Sequence, residues 1–426
     1  MSRELRLRRA VDIVQGVPSL QVGEATAPAD SERAARLRTY RVLAPLFVLL
    51  LLWLWLFRSE GAFQGGPNGR AFEGDFAMFI TAAQILKEGG NPYDHNLLFR
   101  REKAFLDRLG LPITKDRPVV RVGNPPLLFW AMEPLTQLGF QAAALAWLVL
   151  MYALSLVGVL ATMAYLGWKQ RLLPCLFFAL MPQVLLGPFY GNIVCLVFAA
   201  LGCSLALLKR YPLIAGALCS IALVKPPVAL PVVLLILLRH PAQRNRMVAG
   251  FVGAVACLSA VTVLALGPHV LGLWLTGMIQ YSRDIQSSPD VASLSGLYVR
   301  NAGVVLRTSL EIMAIVVALT LTAWWWWRHR AATELPLAGL CVVWFLAAPY
   351  AHFFDEVLLT LPILILIGRD GSRISLRWSS SALYLMFFSI CLISAAPFGV
   401  QLLPLFLMAL LACLVFAASD PRYQPA

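Results

Sequence analysis

Charge is scarce in this chain. Only 13% of its 426 residues are Asp, Glu, Lys or Arg, against roughly 25% in a soluble protein. A chain so apolar, 59% by the same count, is not built to face water throughout. No cleavable signal is expected either. About forty mixed polar residues, 1–40, precede the first apolar run, too long and too acidic for a signal n-region. No Walker A motif is present, and nothing suggests a nucleotide fold. The eight cysteines (Cys175, Cys195, Cys203, Cys219, Cys257, Cys341, Cys391 and Cys413) all sit in apolar runs without metal-ligand spacing. They read as small packing residues, and neither a zinc site nor a disulfide framework is expected.

What the chain has is long apolar runs, recurring from Leu43 almost to the C-terminus. Several exceed the ~18 residues a helix needs to cross a bilayer. The fold class this predicts is an all-α polytopic membrane protein of about twelve transmembrane helices. The net charge of +13 lies in short loops. It therefore reads as orientation and lipid contact, not as a nucleic-acid surface.

Positive charge sets the sidedness. Eight arginines precede span 1 (43–57), four of them, Arg33, Arg36, Arg38 and Arg41, against it. The segment 1–42 is then cytoplasmic and largely disordered. The polar region 58–125, with ten Lys/Arg and eight Asp/Glu, is placed outside. Spans are expected at 141–167, 172–188, 190–208, 213–224, 227–239, 247–266, 302–327 and 335–349, then three more. A second outer loop, 267–301, lies between two of them, and the tail 419–426 is cytoplasmic. The tryptophans of "WWWWRHR" belong to an interfacial belt. The segment 126–138 is too short to span.

Polar variety collects on the outer side. Glu73, Asp75, Tyr93, Asp94, His95, Arg121, Asn124, Tyr190, Asn192, Lys225, Arg283, Asp284, Arg300, Asn301, Tyr350, His352, Asp355 and Glu356 come from at least five segments. The inner side carries mostly Arg and Lys. A site at the outer interface follows. Asp75 heads a stripe of apolar residues at 76, 79, 80, 83 and 86, with Gln84, Lys87 and Glu88 on the other face. This predicts an amphipathic helix capped by Asp75 and stopped by Gly89-Gly90-Asn91-Pro92. Lys225 interrupts "CSIALVKPPVALPVV". It is read either as a phosphate or substrate ligand or as a snorkelling lysine. His352 either hydrogen-bonds a phosphate or tunes an acid, or is an interfacial histidine. Arg300 either grips phosphate or anchors the span 302–327 at the interface. Glu133 reads as a structural acid.

Four stretches, in order, carry a resemblance. They are "GDFAMFITAAQILKEGGNPYD", "NPPLLFWAMEPL", "YGNIVCLVFAALGCSLALLKR" running on through "ALVKPPVALP", and "APYAHFFDEVLLTLPILIL". Together they resemble the GT-C glycosyltransferases, most closely glycosyltransferase family 87, the polyprenyl-phosphate-mannose-dependent mannosyltransferases and their relatives. Three positions depart from that pattern. Asn124 stands for the usual Tyr, Tyr190-Gly191-Asn192 is an imperfect Gly-Gln-x-Asn, and Ala348-Pro349 replaces Ser-Pro.

The resemblance implies a GT-C-like catalytic domain over 43–418, with amphipathic helices in the first outer loop. It implies transfer of a sugar, most readily mannose, from a polyprenyl-phosphate donor to a glycolipid or glycan acceptor at the outer face of the plasma (inner) membrane. Inversion follows from a single displacement, with Asp75 as general base. Lys225, Arg300 and His352 are implied donor-phosphate contacts, and Tyr93, Asn124, Tyr190 and Asn192 substrate contacts. No cofactor, metal or nucleic acid is expected. The rival reading is a transporter or flippase for a lipid-linked sugar. That architecture favours internal repeats, and the sequence shows none.

Overall fold

Apolar sequence at helical period, cut by Gly and Pro, yields helices here with no strand among the described residues. The computed structural model describes residues 75–108, 122–168, 181–285, 304–328, 334–348 and 351–368, with a few more within 175–179 and 404–415. The segment 1–42, span 1, Glu73, Arg121, Arg300, Asn301 and the tail 419–426 lie outside these residues.

α1 (Asp75–Lys87) and α2 (His95–Arg108) form a hairpin. Gly89 closes it at φ +77°, a backbone region that favours glycine. Asp94 caps α2 by accepting N–H bonds from Asn96 (2.9 Å) and Leu97 (3.1 Å). α2 is amphipathic: Leu98 and Leu106 are buried, while Arg101 and Lys103 pair outside with Glu88 and Asp107. α1 departs from expectation. Phe76 through Ala83 are all buried, with Ile85. Its polar residues gather at the C-terminal end, not along one face. α3 (Pro126–Met132) runs into a first 3-10 turn (Glu133–Gln137) and packs against α1.

α4 (Phe140–Tyr165), α5 (Pro182–Phe189) and α6 (Val194–Leu207) follow. α4 buries Trp147, Met151, Ser155, Gly158 and Thr162, a stripe at helical spacing that faces α6. Gly158 makes room for Phe198, since a Cβ there would fall 2.5 Å from that ring. The helices α7 (Pro212–Ala222) and α8 (Pro226–Arg239) break at Lys225 as the sequence predicts. α7 crosses α9 (Arg244–Leu266) at a reciprocal close approach. A Cβ on Gly216 would lie 1.9 Å from Met247 O, and one on Gly250 2.0 Å from Leu213 O.

α10 (His269–Ile285) occupies what the sequence suggests is loop. α11 (Val304–Arg328) and α12 (Glu334–Ala347) come next, then a second 3-10 turn (Phe353–Leu359) and α13 (Thr360–Gly368).

Two described helices, α4 and α9, are long and apolar enough to cross a membrane, each with a mean hydropathy of 2.3 over its most apolar 18 residues. At 1.5 Å per residue they extend about 39 and 34 Å, enough for a ~30 Å hydrocarbon layer. Their outer faces bear Val149, Leu150, Leu160, Val252 and Leu264, all exposed. Water is a poor solvent for such faces, and lipid a good one. Of the roughly twelve spans expected, the described residues show these two at spanning length, and α6, α7, α8 and α12 are shorter apolar helices. The six cysteines placed by the structure, Cys175, Cys195, Cys203, Cys219, Cys257 and Cys341, are all free.

Candidate active site

The site forms where three chain breaks meet: the start of α1, the α5–α6 turn and the α7–α8 turn. Asp75 is the first described residue of α1. The Asp75 N–H donates to Tyr190 O at 3.0 Å, which fixes the head of α1 on the α5–α6 turn.

Gly191 makes that turn at φ +66°, and a Cβ there would fall 2.7 Å from Phe76 Cβ. Backbone conformation and close approach both demand glycine. Trp147 Nε1 donates to Gly191 O at 2.8 Å, so α4 holds the turn from behind. The next residue, Asn192, is 2% exposed.

From Asn192 a hydrogen-bonded set runs in both directions. Its Nδ2 donates to Asp75 Oδ2. Its Oδ1 accepts from Val194 N–H (2.9 Å) and from Lys225 Nζ (3.3 Å). Lys225 in turn pairs with Asp355 Oδ1, and its ammonium lies 5.0 Å from the centre of the Phe354 ring. Asp355 Oδ2 accepts from His352 N–H at 3.1 Å. Burial pushes the Asp355 carboxyl up from its ordinary range, with Lys225 beside it opposing that rise. The His352 ring stacks on Phe354 at 4.7 Å, and Tyr190 approaches the same ring at 5.7 Å. Four separate segments thus bring two carboxylates, an ammonium and an imidazole together.

Lys225 also lines a cleft whose walls include Gly123, Asn124, Pro227, Met278 and Tyr281. Asn124 Nδ2 donates to Val224 O at 3.1 Å, and Tyr93 OH donates to Asn124 O at 2.9 Å. Tyr93 is 5% exposed, and burial raises its hydroxyl pKa far above the ordinary tyrosine range. Its place is thus behind Asn124, supporting the cleft wall. α10 closes the far side. Trp274 Nε1 donates to Gly123 O at 3.0 Å, and a Cβ on Gly277 would meet Tyr93 at 2.7 Å.

Of the residues singled out in the sequence, the structure joins Asp75, Asn192, Lys225, Tyr190 and His352 in one neighbourhood. Asn124 and Tyr93 border the adjoining cleft. Arg300 lies outside the described residues. Sequence reasoning overlooked the pairing role of Asp355, three residues after His352, and the supporting Trp147, Gly191 and Phe354. A buried acid just ahead of the apolar run 357–367 was the available signal for Asp355. Among the described residues, no three His, Cys, Asp or Glu side chains gather as metal ligands.

Comparison with known proteins agrees with the motif order. The family model for glycosyltransferase family 87 matches residues 123–349, more than half of the chain. The match takes in Asn124, Tyr190, Asn192, Lys225 and Arg300, and leaves Asp75, Tyr93 and His352 outside it. No curated protein and no solved structure matched the chain. The exposed apolar faces of α4 and α9 mark a membrane protein, and with the family match the conclusion is direct: the chain belongs to glycosyltransferase family 87.

Proposed function

We propose that this glycosyltransferase is a multi-pass enzyme of the plasma (inner) membrane that moves a sugar, mannose first among the options, from a polyprenyl-phosphate donor. The acceptor is a glycolipid or glycan hydroxyl at the outer face. The observation that carries the reading is the set Asp75–Asn192–Lys225. It puts a carboxylate able to take a proton and an ammonium able to meet a phosphate in one connected group beside a cleft.

In this reading the acceptor O–H proton passes to the Asp75 carboxylate while the acceptor oxygen attacks the anomeric carbon. The bond from that carbon to the phosphate oxygen breaks, and polyprenyl phosphate leaves with the bonding pair. Attack opposite the leaving group inverts the carbon. Charge grows on the departing phosphate, and preorganised cations lower the barrier by meeting it. In this reading Lys225 meets that charge, with His352 and Arg300 as further phosphate contacts. Asn124 and Tyr190 serve as contacts for the sugar or acceptor.

The test is release of polyprenyl phosphate by purified protein in lipid bilayers, given polyprenyl-phosphate mannose and a hydroxyl acceptor. Movement of donor across the bilayer without release would favour the flippase reading instead. Asp75→Asn should lower transfer by about 10²–10⁴-fold, the usual cost of losing a general base, while the protein remains folded. Asn suits a helix start as well as Asp, so folding gives no reason for the loss.

A further inference from the structure

We infer that Asn192 is a positioning residue: it holds the Asp75 carboxylate with a neutral donor and keeps that base apart from the Lys225–Asp355 ion pair. The inference rests on the reading of Asp75 as the base.

The orientation of the Asn192 carboxamide is fixed by chemistry. Its Oδ1 receives the Val194 N–H and the Lys225 ammonium, and both of those groups are donors. The oxygen must therefore lie on that side, and the NH₂ group must point at Asp75 Oδ2. A flipped amide would set NH₂ against two donors and an oxygen against a carboxylate. At 2% exposure, water has little room to repair such a mismatch.

This arrangement has an electrostatic consequence. Lys225 already has a carboxylate partner in Asp355, which is fully buried. A direct Lys225–Asp75 pair would stabilise the charged form of Asp75 strongly and weaken it as a base. It would also leave Asp355 as an uncompensated buried charge. Asn192 occupies the space between them. It gives Asp75 a neutral N–H and passes no full charge to it. Among the described residues, the charged groups linked to Asp75 through Asn192 are Lys225 at the start of α8 and Asp355 on the second 3-10 turn. His352 and Glu356 flank Asp355 in that turn, and Tyr190 O takes the Asp75 N–H.

Asn192→Asp isolates the role. The new carboxylate keeps an oxygen for Val194 N–H and for Lys225, and it exchanges only the donor facing Asp75 for an anionic oxygen. Two neighbouring carboxylates resist joint ionisation. The acidic limb of the pH–rate profile should therefore move up by about one unit or more. Should Asn192→Asp fail to fold, Asn192→Ser replaces it: its short hydroxyl serves Val194 but does not reach Asp75, and the limb should again move up, by less. A uniform loss of rate with the limb in place, in whichever of these variants folds, would overturn the inference, because a purely structural role lowers activity at every pH alike. A wild-type profile would overturn it too. Asp75→Asn, measured alongside, separates the two levels. If Asp75→Asn keeps activity within a few-fold of wild type, the reading of Asp75 as base fails. If it is inactive while the Asn192 limb stays fixed, only the role of Asn192 fails.

Discussion

α1 and α9 are both largely apolar, and their surroundings are opposite. α1 buries nine of its 13 residues inside protein, whereas α9 buries only Met247, Gly250 and Thr262 of its 23. α1 carries at its start a charged group, Asp75, that must be held in place, and it is packed on nearly every side. Phe79, for example, meets Phe129 and Trp147 at ring distances of 6.3 and 6.5 Å. α9 touches α7 through two glycines and otherwise presents Val and Leu outward. Helices of this kind are alike in composition and differ in surroundings: one is enclosed by protein, the other turns an apolar face outward. Rigidity around the site follows from the first kind of environment.

The largest effects are expected on the protein-packed side. Lys225→Ala leaves Asp355 charged, buried and unpaired, a change that costs about 3–5 kcal/mol in comparable sites. Thermal unfolding in detergent should show this as a clear fall in Tm. The double variant Lys225→Met, Asp355→Leu should recover much of that stability, because apolar pairs often replace buried ion pairs well. It should still transfer sugar poorly, since the departing phosphate has lost the Lys225 ammonium. Recovery of activity together with stability would show that the pair is only structural. Phe79→Ala, at 1% exposure, should cost a similar amount, about 3–5 kcal/mol, by leaving a cavity between α1, α3 and α4.

Much of this contrast was legible before the structure. The breaks at Gly89–Pro92 and Lys225-Pro226-Pro227 are local chemistry, and they fall as read. The convergence of Asp75, Asn192, Lys225 and His352 followed from sorting polar residues by side of the membrane. The partners did not follow. Lys225 and Asp355 are 130 positions apart, and no local pattern pairs them. α1 was misread for a different reason. Gln84, Lys87 and Glu88 suggested a polar face, but they lie together near the helix end, where the chain emerges from the core. α10 was missed within a stretch taken as loop, although its apolar residues recur at helical spacing. Its tertiary anchor, Trp274 on Gly123, is 151 positions away.

Glu356 offers a smaller effect with a definite sign. It is fully buried, and among the described residues neither carboxylate oxygen has a hydrogen-bond partner. It lies in the turn between α12 and α13, where burial holds its pKa well above the ordinary glutamate value near 4.5. An unfolded chain loses this proton near the ordinary value, whereas the folded protein retains it to higher pH. The stability it contributes is thus fully present below that ordinary value and is lost as pH rises through the folded pKa. Glu356→Gln removes the titration. Its Tm should exceed that of wild type at neutral pH, and the two curves should converge in acid. A constant offset at all pH values would show that the glutamate does not titrate between the folded and unfolded states.

The smallest effect belongs to the lipid side. Val252 on α9 is 56% exposed, and it sits about 12 Å along a helix of about 34 Å, well inside the hydrocarbon if α9 crosses the bilayer. Few protein atoms pack against it. Val252→Ala therefore removes little packing, and its stability in detergent should stay within about 0.5 kcal/mol of wild type, far from the loss at Phe79. Silence alone also fits a residue facing water, so a second measurement is needed. Val252→Trp, in protein reconstituted with lipid brominated along its acyl chains, should be strongly quenched. It should resist iodide added to the aqueous phase; the twelve native tryptophans require the difference spectrum against wild type. The reverse pattern, iodide quenching without bromine quenching, would place this face of α9 in water and erase the contrast with α1.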